Sequence, residues 1–100
     1  TLVKSSAASD VYKRQDVRNA NEFTLGRIDN SLNIPLDQLA ENIDKLKKNP
    51  NKTILVYCQK GFRSSQAVKI LNKLGIDSAV SIDGGLDAWQ KDNLPIKMDS

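Results

Sequence analysis

A lone cysteine opens the stretch Cys58-Gln59-Lys60-Gly61-Phe62-Arg63-Ser64, whose residue types could together handle an anion or a sulfur atom. The stretch follows the apolar run 53–57 and precedes an amphipathic segment at 64–74, so we expect a loop between a buried strand and a helix. Loop N–H groups and a helix N-terminus both favour negative charge. Lys60 and Arg63 add positive charge. Because such settings lower the pKa of a thiol, Cys58 is the candidate nucleophile.

The other residues of the stretch have complementary predicted roles. Gly61 would let the chain turn tightly at a positive φ. Ser64 suits the N-cap of the following helix. Its hydroxyl, or that of Ser65, could donate to a bound sulfur or anion. Gln59 and Phe62 complete the predicted substrate-binding and anion-binding loop, which runs from 59 to 64.

An inert buried cysteine is the alternative interpretation, because a single cysteine after an apolar strand is often a small core residue. A core position, however, does not call for Lys60, Gly61 and Arg63 around it. The pattern therefore favours a reactive Cys58.

Strand-like and helix-like segments alternate along the chain, which predicts an α/β fold with a doubly wound parallel sheet and helices on both faces. Apolar stripes predict helices, and short apolar runs predict strands. The predicted strands end or lie at 16–18, 32–34, 53–57 and 79–82, and the predicted helices at 21–25, 37–48, 64–74 and 86–91.

Composition excludes several classes of function. The 100 residues fit one small domain, and no apolar run approaches the length of about 18 residues that a membrane span needs. One cysteine and no histidine leave little to bind zinc, so we expect no metal and no cofactor. The net charge of +3 comes mostly from residues 1–15, so no nucleic-acid partner is expected. A free thiol fits a reducing compartment, and we expect a cytoplasmic protein.

Residues 1–15 differ in character from the rest, since they show neither helical nor strand periodicity. Their second half, 10–15, is similar to the in-frame translation of a sequencing adaptor. We therefore expect a non-native or disordered segment over 1–15 and the domain over 16–98, with the true gene start missing; a natural polar tail is the alternative. The first strand and helix of the fold could then be absent.

The chain from Asp16 to Ile96 resembles single-domain rhodaneses, a family of sulfurtransferases. Four segments occur in the family's order: Asp16-Val17-Arg18 with Glu22-Phe23, Gly26-Arg27-Ile28 before Asn33-Ile34-Pro35-Leu36, the loop 58–64, and Gly84-Gly85-Leu86 with Trp89. The resemblance implies a persulfide on Cys58. It also implies thiosulfate as a donor, and cyanide, a thiol or a protein as the acceptor.

Other functions stay open at this point. A cysteine phosphatase or arsenate reductase needs five residues between cysteine and arginine, whereas four separate Cys58 from Arg63. A regulatory or docking module of the same family often lacks the cysteine. The chain could also be one domain of a larger disulfide reductase. As supporting residues, Asp16 could orient the loop by hydrogen bonds, and Arg18 could pair with Glu22 four positions later.

Overall fold

A five-stranded, fully parallel sheet forms the centre of the protein, as the α/β pattern predicts. The computed structural model describes residues 2–3, 13–46 and 53–98. Its strands are β1 (Leu2–Val3), β2 (Lys13–Asp16), β3 (Arg27–Ile28), β4 (Ser31–Asn33), β5 (Ile54–Tyr57), β6 (Ala79–Ile82) and β7 (Ile96–Lys97). The order across the sheet is β1-β6-β5-β2-β4, and β3 and β7 form a separate antiparallel pair. Strand β5 therefore lies at the centre.

Within the described residues, four α-helices flank the sheet: α1 (Ala20–Leu25), α2 (Ile43–Leu46), α3 (Phe62–Lys73) and α4 (Gly85–Lys91). The side chains of β5 alternate between two buried clusters, which lie on opposite faces of the sheet. Ile54 and Val56 belong to the cluster that contains Leu71 of α3, and Leu55 belongs to the cluster that contains Trp89 of α4. Because β5 is buried on both faces, its entirely apolar sequence is explained.

The predicted helix over 37–48 is not continuous. Two 3-10 turns, Leu36–Gln38 and Ala40–Asn42, precede the short helix α2. A repeat of three residues per turn suits the spacing of Leu36 and Leu39, which places both side chains on the core side. Residues 47 and 48 lie outside the described residues. By contrast, Gly75 has φ +97, as a helix end at this glycine predicts.

The start of the chain differs from the expectation. Lys13–Asp16 is strand β2, which pairs with both β4 and β5 although its sequence is polar. Gln15 is consequently fully buried. Leu2–Val3 is also a strand and pairs with β6. The expected boundary at Asp16 therefore lies within a strand, and Leu2–Val3 supplies an edge strand where the first strand could have been absent. Residues 4–12, where a first helix would lie, fall outside the described residues.

Tyr57, at the end of β5, links the sheet to Ile28 of β3 and to Ser31, the first residue of β4. Its hydroxyl oxygen accepts from the Ile28 N–H at 3.1 Å and lies 2.7 Å from the Ser31 hydroxyl. Burial raises the pKa of Tyr57, so the hydroxyl stays neutral and keeps its proton to donate. Within the described residues, no helix is long and apolar enough to span a membrane.

Candidate active site

Cys58 follows β5 directly and lies at the bottom of the loop that leads into α3. Its side chain is only 1% exposed. The Sγ atom accepts hydrogen bonds from the backbone N–H of Gly61 at 3.0 Å and of Ser64 at 3.4 Å. Gly61 has φ +104, so a glycine is required where the loop turns back over the sulfur. The loop thus forms a nest of N–H groups around Sγ.

These contacts decide the charge state of the thiol. Burial raises the pKa of Cys58, but the N–H and hydroxyl of Ser64 and the N–H groups of Gly61 and Lys60 lower it by more. The net effect is a pKa below the ordinary value for cysteine. Because the stabilising groups are mainly backbone dipoles, the thiolate depends on the shape of the loop.

Ser64 is not the N-cap of α3, as the sequence suggested. Gly61 occupies that position, and Ser64 lies within the first turn. The Ser64 hydroxyl lies 3.7 Å from Sγ, 3.2 Å from the Gly61 carbonyl oxygen and 2.6 Å from the hydroxyl of Ser81. Ser81 was not foreseen as a site residue. Because the Ser64 hydroxyl donates to the Gly61 carbonyl oxygen, it can donate to a thiolate only by sharing or giving up that hydrogen bond. Ser65 instead donates to the Gly61 carbonyl at 2.8 Å.

The start of α4 fixes the outer side of the loop. The Leu86 N–H donates to the Cys58 carbonyl at 2.8 Å, and the Asp87 N–H donates to the Gln59 carbonyl at 3.0 Å. In the trans peptide the Lys60 N–H points away from the Gln59 carbonyl, and this N–H is one of those that lower the pKa of Cys58. A Cβ at Gly85 would lie 2.4 Å from the Cys58 carbonyl oxygen, so only glycine permits this approach. Gly85 and Leu86 therefore hold the loop in place at the start of α4.

Asp16 and Arg18 are connected to the same loop by hydrogen bonds. Asp16 Oδ2 accepts from Arg18 at 2.7 Å, and both side chains are buried. Arg18 also donates to Gln59 Oε1 at 3.0 Å and to the carbonyl of Gly26. The Gln59 amide in turn donates to Asp87. A continuous chain of hydrogen bonds thus links Asp16 to the first loop residue.

The expected ion pair between Arg18 and Glu22 does not form. Residues 16 and 18 lie on one side of extended chain, whereas α1 begins only at Ala20, so the helical spacing of four does not apply. Glu22 instead binds Arg63 through both carboxylate oxygens, at 2.7 and 2.9 Å. Arg63 therefore does not act as an isolated positive charge beside Cys58.

A pocket of about 290 Å³ lies at the loop and includes Cys58 in its lining. Its lining consists of Glu22, Cys58, Gln59, Lys60, Phe62 and Arg63. Lys60 is exposed, and Phe62 is 78% exposed at the rim. Among the described residues, no group of three or more histidine, cysteine or acidic side chains could hold a metal ion. The pocket thus combines two cationic side chains, those of Lys60 and Arg63, with the Glu22 carboxylate beside Cys58.

Comparison with protein families gives one match over most of the chain. The family described as "Rhodanese-like domain" matches residues 4–92. The chain belongs to the rhodanese family. The match begins before Asp16, so it covers β2 as well as the loop.

Several curated relatives of this rhodanese are sulfurtransferases by name. It is 33% identical over 92 residues to thiosulfate sulfurtransferase GlpE of Shewanella oneidensis, covering 92% of this chain and 88% of that protein. It is 38% identical over 82 residues to adenylyltransferase and sulfurtransferase MOCS3-1 of Zea mays, covering 77% of this chain. The chain spans only 18% of that maize protein and 44% of a Synechocystis relative.

Solved structures agree on the fold. A rhodanese-related protein from Thermoplasma volcanium has a TM-score of 0.80 at 35% identity, with 89% of this chain and 86% of that chain covered. A Rhodopseudomonas palustris protein described as a possible tyrosine phosphatase has a TM-score of 0.78 at 26% identity, covering 88% of this chain and 72% of that chain. One rhodanese fold therefore accommodates proteins described in different ways, and function has to be argued from the loop.

Proposed function

We propose that this rhodanese is a sulfurtransferase that carries sulfane sulfur as a persulfide on Cys58. The observation that carries the proposal is the nest around Sγ, in which Gly61 and Ser64 donate at 3.0 and 3.4 Å. A nest of this kind stabilises negative charge on the sulfur before and after transfer. The sulfurtransferase relatives named above support the same reaction class.

The first step loads the enzyme. The Cys58 thiolate attacks the outer sulfur of thiosulfate, a new S–S bond forms, and the bond to the sulfonate sulfur breaks. Sulfite leaves with the electron pair of that bond. The total charge of the two reactants, minus three, is retained by the persulfide anion and the sulfite dianion. We expect the N–H groups of Gly61 and Ser64, which donate to Cys58 Sγ at 3.0 and 3.4 Å, to help stabilise the negative charge of the persulfide.

The second step discharges the enzyme. A nucleophile such as cyanide or a thiol attacks the outer sulfur, and Cys58 leaves as the thiolate. The chain has one cysteine, so no second thiol of its own can resolve the persulfide. The acceptor must therefore come from outside, as a small molecule or a protein. The two half-reactions predict ping-pong kinetics.

Phosphatase or arsenate reductase chemistry fits this site less well. The loop places four residues between Cys58 and Arg63. Arg63 is also held by Glu22, so its guanidinium is not available to enclose a tetrahedral oxyanion. A docking module would not need a cysteine with a lowered pKa.

Intact-mass measurement tests the proposal. Wild-type protein incubated with thiosulfate is expected to gain the mass of one sulfur atom, and cyanide is expected to remove it. The variant Cys58→Ser should gain nothing. Folded wild-type protein that gains no mass with thiosulfate or with a singly charged thiosulfonate would overturn the proposal.

A further inference from the structure

The positive charge of Arg63 is cancelled where it meets the active-site pocket. Both carboxylate oxygens of Glu22 bind the guanidinium, and such two-pronged pairs are strong and directional. The two side chains are 37% and 29% exposed, so the pair lies at the edge of the pocket rather than in the core. A donor entering the pocket therefore meets a neutral pair.

The position of Glu22 is set independently of Arg63. Glu22 is the third residue of α1, where it completes a capping box with Asn19. The Asn19 side chain accepts from the Glu22 N–H at 2.9 Å, and the Asn19 N–H donates back to Glu22 Oε1 at 3.4 Å. The hydrogen bond from Arg63 lowers the pKa of Glu22, so the carboxylate stays ionised at neutral pH. The start of α1 thus holds a negative charge over the pocket.

The other charges around the pocket are also nearly balanced. Of the lining residues, Lys60 and Arg63 are cationic, whereas Glu22 and the Cys58 thiolate are anionic. Arg18, below the loop, is paired with Asp16. A dianion therefore brings uncompensated charge into the pocket, and a monoanion brings half as much.

We propose that Glu22 is a specificity-determining residue that neutralises Arg63 and so disfavours the dianion thiosulfate relative to a sulfur donor with one negative charge. This inference rests on the proposed sulfurtransferase function. Methanethiosulfonate is the matched probe, since a methyl group replaces one charged oxygen of thiosulfate. The Cys58 thiolate attacks its outer sulfur, and methanesulfinate leaves with the electron pair of the broken bond. The same persulfide forms, but the two reactants carry a total charge of minus two instead of minus three.

The variant Glu22→Gln tests the inference. Glutamine keeps the capping box and one hydrogen bond to Arg63 but removes the charge. Two unit charges about 6 Å apart, at an effective dielectric constant of about 40, interact with about 1.4 kcal/mol, which changes a rate about tenfold. With cyanide as acceptor, the ratio of kcat/KM for thiosulfate to that for methanethiosulfonate is expected to rise about tenfold. The change should appear mainly in the KM for thiosulfate.

Two further variants complete the experiment. Glu41→Gln makes the same chemical change at an exposed residue outside the pocket and should leave the ratio unchanged. Glu22→Ala removes the charge without relying on a glutamine contact and should raise the ratio as well. If both donors load Cys58 but neither Glu22 variant changes the ratio, the inference is wrong and the proposed function stands. If neither donor loads folded wild-type protein, the proposed function itself fails.

Discussion

Gly85→Ala should distort the active-site loop from outside the loop itself. Gly85 has φ +61, and a Cβ there would lie 2.4 Å from the Cys58 carbonyl oxygen and 2.7 Å from that of Gln59. Neither oxygen can yield easily, because each accepts a hydrogen bond from the first turn of α4. The substitution must therefore push α4 and the loop apart.

Three effects contribute to the expected loss in the free energy of unfolding of Gly85→Ala. A side chain at positive φ costs about 1 kcal/mol. Overpacking against backbone atoms costs about 1 to 3 kcal/mol. Weakening the two hydrogen bonds to Cys58 and Gln59 adds about 1 kcal/mol. The free energy of unfolding should fall by about 4 kcal/mol, a large fraction of the 5 to 15 kcal/mol that is ordinary for a domain.

Urea unfolding measures this loss, and Gly75→Ala is the matched control. Gly75 has φ +97 but is exposed at the end of α3, so its variant should lose only about 1 kcal/mol. In folded Gly85→Ala, displacement of the N–H groups should also raise the pKa of Cys58, measured as the pH dependence of alkylation. A Gly85 variant that is as stable as the Gly75 variant, with an unchanged alkylation profile, would refute this account of the loop.

Three further predictions concern the same site and the strand beside it. Gln15→Leu should stabilise the fold by about 1 kcal/mol in urea unfolding, because the buried Gln15 Oε1 has no hydrogen-bond partner among the described residues and Nε2 donates to the Leu32 carbonyl only at 3.5 Å; a loss of stability would contradict this. Ser64→Ala should move the alkylation profile of Cys58 to higher pH, since a hydrogen bond that lowers the pKa is removed, and an unmoved profile would show that the backbone suffices. Raising the ionic strength should change the Cys58 pKa by no more than about 0.3, because hydrogen-bond dipoles rather than unpaired ions stabilise the thiolate. A larger rise in the pKa would show that the charge of Lys60 or Arg63 is what lowers it.

The central elements could be predicted because their causes are local. The apolar run of β5, the helix after it and the turn at Gly61 follow from residue types that are adjacent in the chain. The same holds for Cys58, whose position between strand and helix is visible in the sequence. The residues of β2 that precede Asp16 could not be predicted as a strand, because the cause is not local. Their polar side chains give no strand pattern, and they enter the sheet only by pairing with β4 and β5 on either side.

The supporting contacts could not be predicted, because they join distant parts of the chain. Ser81 reaches Ser64 from the adjacent strand β6, and Glu22 reaches Arg63 across 41 positions. Choosing a partner for Arg63 would have required knowing that α1 begins beside the loop. The glycine pattern at 84–85 did signal importance, but its reason, close contact with the Cys58 carbonyl, exists only in the folded chain.

The site separates two electrostatic tasks that a free cation beside Cys58 would combine. The thiolate is stabilised by N–H groups of the loop, which act over short distances and point at one atom. The charge seen by an incoming donor is set at the rim, where Glu22 offsets Arg63. The two groups of contacts share no side chain, but the charges of Arg63 and Cys58 interact. Removing the Glu22 charge leaves Arg63 as such a free cation, so it should alter the preference among donors and also lower the alkylation pKa of Cys58. An alkylation pKa that stays constant while the preference among donors changes would show instead that the rim pair acts on the incoming donor alone.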